Sequence, residues 1–140
     1  MHLEIPSHLE NYIGGAFVAP QQKKYFDNYN PATAELLCAV PDSTQEDVDA
    51  AVLAAKKAFP SWSTTAAEQR FLILNKIAAL IDEHLDVLAL AETNDNGKPL
   101  TLSTRVDIPR ASSNFRFFAT GLMHFASESH SMEDKAINYT

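Results

Sequence analysis

The sequence predicts an α/β chain in which short antiparallel strands come first and about four amphipathic helices follow. Three observations support this prediction. Residues 12–40 combine aromatic and β-branched residues with turn-forming glycine, proline and asparagine, a composition typical of short strands. Residues 43–126 carry apolar residues at intervals of three and four, which is the spacing of one helix face. Residues 136–140, Ala-Ile-Asn-Tyr-Thr, resemble the start of another strand.

Three runs in the first part are predicted as strands: residues 12–18, 25–29 and 36–40. Gly14 and Gly15 interrupt the first run with a turn or a bulge. Asn30 and Pro31 separate the second run from the third, because proline presets φ and asparagine can bond its own backbone. Pro41 ends the third run.

Caps and breakers delimit the four helices. Residues 43–46 and 65–68 match the capping box, in which Ser43 and Thr65 accept a backbone N–H and a glutamate reaches back. The first helix is expected to stop at Pro60, the third at Gly97, and the fourth to hold Pro109 in its first turn. The predicted apolar stripes are Val48, Ala51, Val52, Ala55 and Phe59; Phe71, Leu74, Ala78, Ile81 and Leu85; and Ala111, Phe115, Phe118, Leu122 and Phe125.

Charge and composition exclude several function classes. The chain has 11 Lys and Arg against 18 Asp and Glu, a net charge of −7, which argues against nucleic acids and anionic membranes as partners. No apolar stretch approaches the roughly 18 residues of a membrane span, and the start lacks a signal peptide, so we expect a cytoplasmic protein. The five histidines and the lone Cys38 show no metal-site spacing, and no glycine-rich phosphate-binding motif occurs. Cys38 lies in an apolar run and is interpreted as a packed strand cysteine.

Polar residues concentrate between residues 105 and 116. Arg105, Arg110 and Arg116 occur there with Asp107. An arginine fork binds carboxylates through two parallel hydrogen bonds, so these arginines either pair with acidic side chains of the chain itself or bind an anionic ligand. Asp107 is a candidate N-cap of the fourth helix.

Four segments together resemble the N-terminal part of the aldehyde dehydrogenase superfamily: residues 12–17, 29–33, 92–99 and 138–140. Within it, residues 106–110 and 114–119 are similar to the 2-hydroxymuconic and 2-aminomuconic semialdehyde dehydrogenases. The resemblance implies an NAD(P)-dependent oxidation of an aldehyde to its acid, in a cytoplasmic homo-oligomer (a dimer or a tetramer). It implies that residues 1–126 begin an NAD-binding, Rossmann-like domain and that residues 127–140 begin an oligomerisation strand.

The resemblance also assigns roles to single residues. It implies that Arg110 binds a substrate carboxylate and that Asp107 holds a structural alkali cation together with the backbone near Asn28 and Tyr29. It places the catalytic cysteine and glutamate, the NAD-binding loop and the catalytic domain beyond residue 140. No catalytic or cofactor-binding residue is therefore expected here, and these 140 residues alone are expected to be inactive.

Three alternatives stay open. The chain is a small α+β domain that closes on itself, a non-catalytic remnant that acts only in subunit association, or part of another subfamily such as the betaine aldehyde dehydrogenases. Arg110 is alternatively an ordinary surface arginine.

Overall fold

The computed structural model describes residues 5–126, 129–132 and 136–139. Its elements are β1 (Asn11–Ile13), β2 (Ala16–Val18), β3 (Tyr25–Tyr29), β4 (Leu36–Pro41), α1 (Gln45–Ser63), α2 (Ala67–Glu83), α3 (Leu85–Asn96), α4 (Leu100–Leu102), a π-helical segment (Ser103–Asp107), α5 (Ile108–His124), β5 (Ser129–Met132) and β6 (Ala136–Tyr139). The strands form three two-stranded antiparallel sheets, β1–β2, β3–β4 and β5–β6. The predicted order of short strands followed by helices is therefore confirmed. Residues 127–128, 133–135 and 140 of the predicted oligomerisation segment lie outside the described residues.

Glycine chemistry turns the first predicted strand into a hairpin. Gly14 and Gly15 have φ of 63° and 90°, conformations that glycine adopts without the steric cost of a side chain. Two consecutive positive φ angles match the twist of a two-residue hairpin turn, and Ile13 pairs directly with Ala16 across it. The hairpin lies against α1, since a Cβ added at Gly14 would be 3.9 Å from Ala54 Cβ.

The turn between β3 and β4 follows the asparagine-proline prediction. The side-chain oxygen of Asn30 accepts the Ala32 N–H at 2.9 Å, and the Ala34 N–H donates to the Asn30 carbonyl at 2.8 Å. These bonds close the connection locally, so that β3 and β4 pair antiparallel with a register shift at Asn28 and Tyr29.

The predicted first capping box is displaced by one residue. Thr44, not Ser43, is the N-cap of α1, and Asp47, not Glu46, accepts its N–H at 2.8 Å. The Ser43 hydroxyl instead donates to Asn11 Oδ1 at 3.0 Å. Asp47 also accepts the Gln21 N–H at 2.9 Å, and these two backbone hydrogen bonds lower the pKa of its carboxyl.

Two further predictions about helix ends are wrong. Pro60 does not stop α1, which continues to Ser63; the hydroxyls of Ser61 and Ser63 bond the Ala58 and Pro60 carbonyls at 2.9 and 3.1 Å. Pro60 has no backbone N–H and therefore weakens the last turns of α1. The two hydroxyl groups donate to carbonyls in these turns. The Thr65 hydroxyl donates to the Ser61 carbonyl at 2.9 Å, so α2 begins without a side-chain cap.

The fourth predicted helix begins earlier than the sequence suggests. Helical backbone runs without a break from Leu100 through the π-helical segment to the end of α5. The Ile108 N–H bonds the Ser103 carbonyl, five residues back. Pro109 then occupies the first turn of α5, as predicted, although that turn is not the start of the helical path. Asp107 therefore makes no side-chain cap bond, and its prediction as an N-cap is wrong.

Small residues form the contact between α2 and α5. Ala78 and Ala119 have no exposed surface, and Ser112 is 1% exposed. The Ser112 hydroxyl donates to the Ala78 carbonyl at 3.2 Å. Such short side chains allow two helix backbones to approach closely, and they leave little apolar area to bury between them.

Much of the predicted apolar surface stays uncovered in the described residues. On α1, Val48, Val52 and Phe59 are 50%, 46% and 63% exposed, although they lie on one predicted stripe. The chain exposes 10635 Å², whereas a folded monomer of its mass exposes about 7,200 Å². The prediction that these helices need a further packing partner is favoured over a domain that closes on itself. No helix in the described part of the chain has the length and apolarity of a membrane span.

Replacing Gly97 by alanine is expected to destabilise the protein by about 1–3 kcal/mol, because φ is positive there and overpacking adds to that strain. Gly97 has φ of 77°, and an added Cβ would lie 2.8 Å from Pro31 Cγ. The measurement is the free energy of unfolding from urea denaturation of Gly97→Ala. Gly121→Ala is the control, because an added Cβ at Gly121, within α5, meets nothing within 4 Å. This control is expected to stabilise slightly, and equal effects of both variants would contradict the prediction.

Candidate functional site

A cluster of one lysine and two carboxylates joins the end of α3 to the π-helical segment. Lys98 Nζ donates to Glu92 Oε1 at 2.7 Å and to Asp107 Oδ2 at 2.9 Å. The three side chains are half-buried, with 28%, 33% and 30% of their surfaces exposed. We call these three residues the Lys98 cluster. Because two carboxylates surround one ammonium, the cluster has a net charge of −1.

The local sequence explains why Lys98 points to both carboxylates. Gly97 ends α3 in the left-handed conformation and donates its N–H to the Thr93 carbonyl at 2.9 Å. The side chain of Asn96 then accepts the Lys98 N–H at 3.0 Å and donates to Glu92 Oε1 at 3.2 Å. These bonds hold the lysine backbone beside the last turn of α3. The hydrogen bonds that Lys98 donates to Glu92 and then to Asp107 raise the pKa of Lys98, so the lysine is protonated at neutral pH.

A second contact links α3 to the π-helical segment. Ser103 is fully buried, and its hydroxyl lies 3.1 Å from the Thr93 hydroxyl. Together with the bond between Lys98 and Asp107, this contact fixes the segment at both of its ends. The helix that continues into α5 therefore starts from a well-anchored base.

Arg110 lies immediately above this base. It is the third residue of α5, it is exposed, and within the described residues its side chain makes no hydrogen bond or ion pair. Arg105 is likewise exposed and without an ion pair in that part of the chain. Arg116 differs, because it pairs with Asp82 on α2 and bonds Ser112. This pairing lowers the pKa of Asp82. One of the three arginines is thus used inside the fold.

The residues predicted to surround an alkali cation have separate side-chain partners. Asp107 bonds Lys98, while Asn28 Nδ2 donates to Asp95 Oδ1 at 2.8 Å. The Tyr29 hydroxyl donates to Asp27 Oδ2 at 3.0 Å, and this hydrogen bond raises the pKa of Tyr29. A cation at Asp107 would compete with the ammonium already bound there, so the Asp107 side chain fits the cation poorly. The predicted alkali-cation site stays a prediction.

Cys38 occupies a buried position on β4, where it is 4% exposed and pairs with Asn28 in the ladder. It lines a partly open cavity of about 270 Å³ between the start of the chain, the β3–β4 sheet and α3. Within the described residues no group of three His, Cys, Asp or Glu side chains is arranged to hold a metal ion. The position agrees with a packed strand cysteine.

Comparison with known proteins identifies the family. The model of the aldehyde dehydrogenase family matches residues 17–140. The chain belongs to this family. It is 47% identical over 133 residues to the 2-aminomuconic semialdehyde dehydrogenase of Danio rerio and 48% identical over 120 residues to that of Mus musculus. These matches cover 94% and 86% of this chain, and 27% and 24% of the relatives.

A solved structure supports the same assignment for the fold. The NAD⁺ complex of an aldehyde dehydrogenase from Bacillus cereus superposes with a TM-score of 0.88 at 35% identity, covering 94% of this chain and 27% of that one. The described strands and helices are therefore an arrangement found in the aldehyde dehydrogenase fold. The chain spans about a quarter of the length of the relatives it matches.

Sequence reasoning missed Lys98 and Glu92 as site residues. In the sequence, Gly97 predicts the end of the third helix and indicates nothing about Lys98. Both residues lie in segment 92–99, one of the four that resemble the family, and this was the available signal. Their spacings of six and nine residues in the cluster are not helical spacings, so periodicity alone could not detect it.

The stability that Lys98 supplies is expected to disappear at alkaline pH. A raised pKa means that the folded state holds this proton more tightly, so the contribution is complete below the ordinary lysine pKa and is lost as pH rises through the raised value. The measurement is the difference in thermal midpoint between the protein and Lys98→Met across this range. A difference that does not shrink as pH rises from below the ordinary lysine pKa through the raised value would contradict the prediction. Lys56→Met, on the exposed surface of α1, controls for general loss of a lysine.

Proposed function

We propose that the protein containing these residues is an NAD-dependent dehydrogenase that oxidises a carboxylate-bearing semialdehyde to the dicarboxylic acid, with Arg110 binding the substrate carboxylate. Family membership supports the reaction class, and the 2-aminomuconic semialdehyde dehydrogenases among its relatives support the substrate class. The observation that supports the role of Arg110 is that its guanidinium is not used by another side chain. It is exposed at the start of α5 and has no side-chain partner in the described residues.

Arginine suits this role for geometric reasons. Its planar guanidinium offers two parallel N–H donors to the two oxygens of one carboxylate. Its third position in α5 places it on a helix that the α2 contact and the Thr93–Ser103 contact hold in place. A rigid anchor of this kind fixes the far end of a semialdehyde and thereby limits where its aldehyde carbon can lie.

The overall reaction balances without a catalytic group from this chain. An aldehyde, water and NAD⁺ give a carboxylate, NADH and two protons. NAD⁺, when bound, supplies the acceptor for the hydride. Arg110 binds and orients the substrate. Cys38 takes no part, because it is buried in β4. We place the nucleophile, the general base and the contacts to NAD outside residues 1–140.

We also propose that the complete protein is a cytoplasmic homo-oligomer, a dimer or a tetramer, in which β5 and β6 join the subunits. The support is the separate β5–β6 hairpin, which pairs with no third strand in the described residues and leaves strand edges available. Mass measurement in solution tests this assembly, and a monomer at micromolar concentration would overturn it.

The first experiment is to determine the reading frame that contains these residues. A frame that continues past codon 140 into a cysteine and a glutamate in the family's order would support the enzyme. NADH formation from a muconic-type semialdehyde, followed by its absorbance, then tests the activity directly. A stop codon after Thr140 would overturn the enzymatic proposal, and subunit association would be the remaining function.

Arg110→Ala, made in the complete reading frame, is expected to raise KM for a carboxylate-bearing aldehyde roughly 10- to 100-fold, because charge-assisted bidentate bonds contribute that much to binding. KM for a neutral aldehyde of the same length should stay within about twofold. Steady-state kinetics with both substrates is the measurement. Arg105→Ala is the matched control, since Arg105 is exposed and without an ion pair in the same region. An equal rise for both aldehydes would argue for another subfamily.

A further inference from the structure

Asp107 is placed to compete for Arg110. The two residues are three positions apart on one uninterrupted helical path, and Asp107 has helical backbone angles of −69° and −52°. Side chains three positions apart on a helix face each other closely enough to form an ion pair. A carboxylate in this position could form an ion pair with the Arg110 guanidinium. The fraction of molecules in which Arg110 is available to another anion would then fall.

The structure shows that Asp107 is bonded elsewhere. Its Oδ2 accepts from Lys98 Nζ at 2.9 Å, and the same ammonium is held by Glu92 Oε1 at 2.7 Å. The backbone of Lys98 is fixed in turn by Asn96, at 3.0 Å. The lysine therefore reaches Asp107 from a loop that precedes the helix. The residues that hold the lysine in place, Asn96 and Glu92, do not contact Arg110 in the described structure.

We infer that Lys98 is a positioning residue, which binds the Asp107 carboxylate and so keeps the Arg110 guanidinium free for the carboxylate of the substrate. This inference rests on the proposed role of Arg110. It explains how an arginine can stay unpaired three residues from an aspartate in a chain with a net charge of −7. It predicts that carboxylate affinity depends on a lysine that touches neither the substrate nor Arg110.

The test is the kinetics of Lys98→Met in the complete reading frame. With Lys98 removed, Asp107 is free to pair with Arg110. A surface pair of this kind on a helix is formed in about two-thirds of the molecules, which leaves Arg110 unpaired in about one-third. KM for the carboxylate-bearing aldehyde should therefore rise about threefold, with kcat and the KM for a neutral aldehyde unchanged. The rise should shrink at high salt, because salt screens an exposed pair. Lys56→Met, outside any ion pair in the described residues, is the control.

A rescue experiment separates positioning from a merely structural role. In Lys98→Met with Asp107→Asn, the competing carboxylate is gone, and KM should return toward that of the parent protein. A structural role of the Lys98 cluster would instead leave the KM of the double variant as high as that of the single variant.

Because Lys98→Met can also affect folding, Asn114→Asp provides an independent variant. Asn114 is exposed and four positions after Arg110 on α5, and aspartate has its shape while adding a carboxylate that no lysine is shown to hold. It should also raise KM, by less than threefold, because an acidic residue that follows its basic partner on a helix forms the weaker pair.

The outcomes distinguish this inference from the proposed function. If Arg110→Ala leaves carboxylate selectivity unchanged, both proposals are overturned. If Arg110→Ala raises KM while Lys98→Met and Asn114→Asp do not, the role of Lys98 alone is overturned. A rise in Lys98→Met that Asp107→Asn fails to reverse overturns it too. A rise in both variants, with reversal in the double variant, supports it.

Discussion

The close contact between α2 and α5 determines where the candidate site lies. Ala78, Ser112 and Ala119 are small enough for the two helix backbones to meet, and a larger residue at any of them would push the helices apart. Because α4, the π-helical segment and α5 form one helical path, this contact also sets the positions of Asp107 and Arg110. The position of Arg110 is therefore set by the α2–α5 contact, which begins at Ser112, less than one helical turn away.

Two of the charged residues along this path have a defined partner, whereas Arg105 and Arg110 have none in the described residues. Arg116 is neutralised by Asp82 across the helix contact, and Asp107 is neutralised by Lys98 from the preceding loop. Arg110 lies between these two pairs with its charge uncompensated in the described residues. The Lys98 pair is only half-buried and contributes little to stability, so its main effect is to determine which charges stay available. The electrostatics of the segment thus favour an anionic ligand despite a net charge of −7.

The sequence predicted the elements better than their ends and the partners of their side chains. Gly14 and Gly15 predicted a turn or a bulge within residues 12–18, and Gly97 predicted the end of α3; the structure shows positive φ at all three glycines, a conformation that few other residues accept. The first cap was wrong because Ser43 and Thr44 are adjacent and both can cap, and tertiary contacts decide between them. Asp107 failed as a cap because the π-helical segment lets the helix begin at Leu100. Arg110 was predicted from the resemblance to the family. Lys98 was not predicted, because its bonding partners lie six and nine residues away, and neither distance matches a helix or strand period.

The Lys98 cluster and the outer helices differ in what they require from the rest of the protein. Every hydrogen-bonding partner in the cluster and its supports belongs to residues 92–107, so its geometry is satisfied locally. The stripe on α1 and the aromatic residues Phe117 and Phe118 on α5 are instead largely exposed, and their burial must come from outside the described residues. Burial of such side chains contributes about 1.5–3 kcal/mol each, more than a half-exposed ion pair does. The stability of the helices therefore depends on what packs over them, while the orientation of the site is determined by the short segment from α3 to α5.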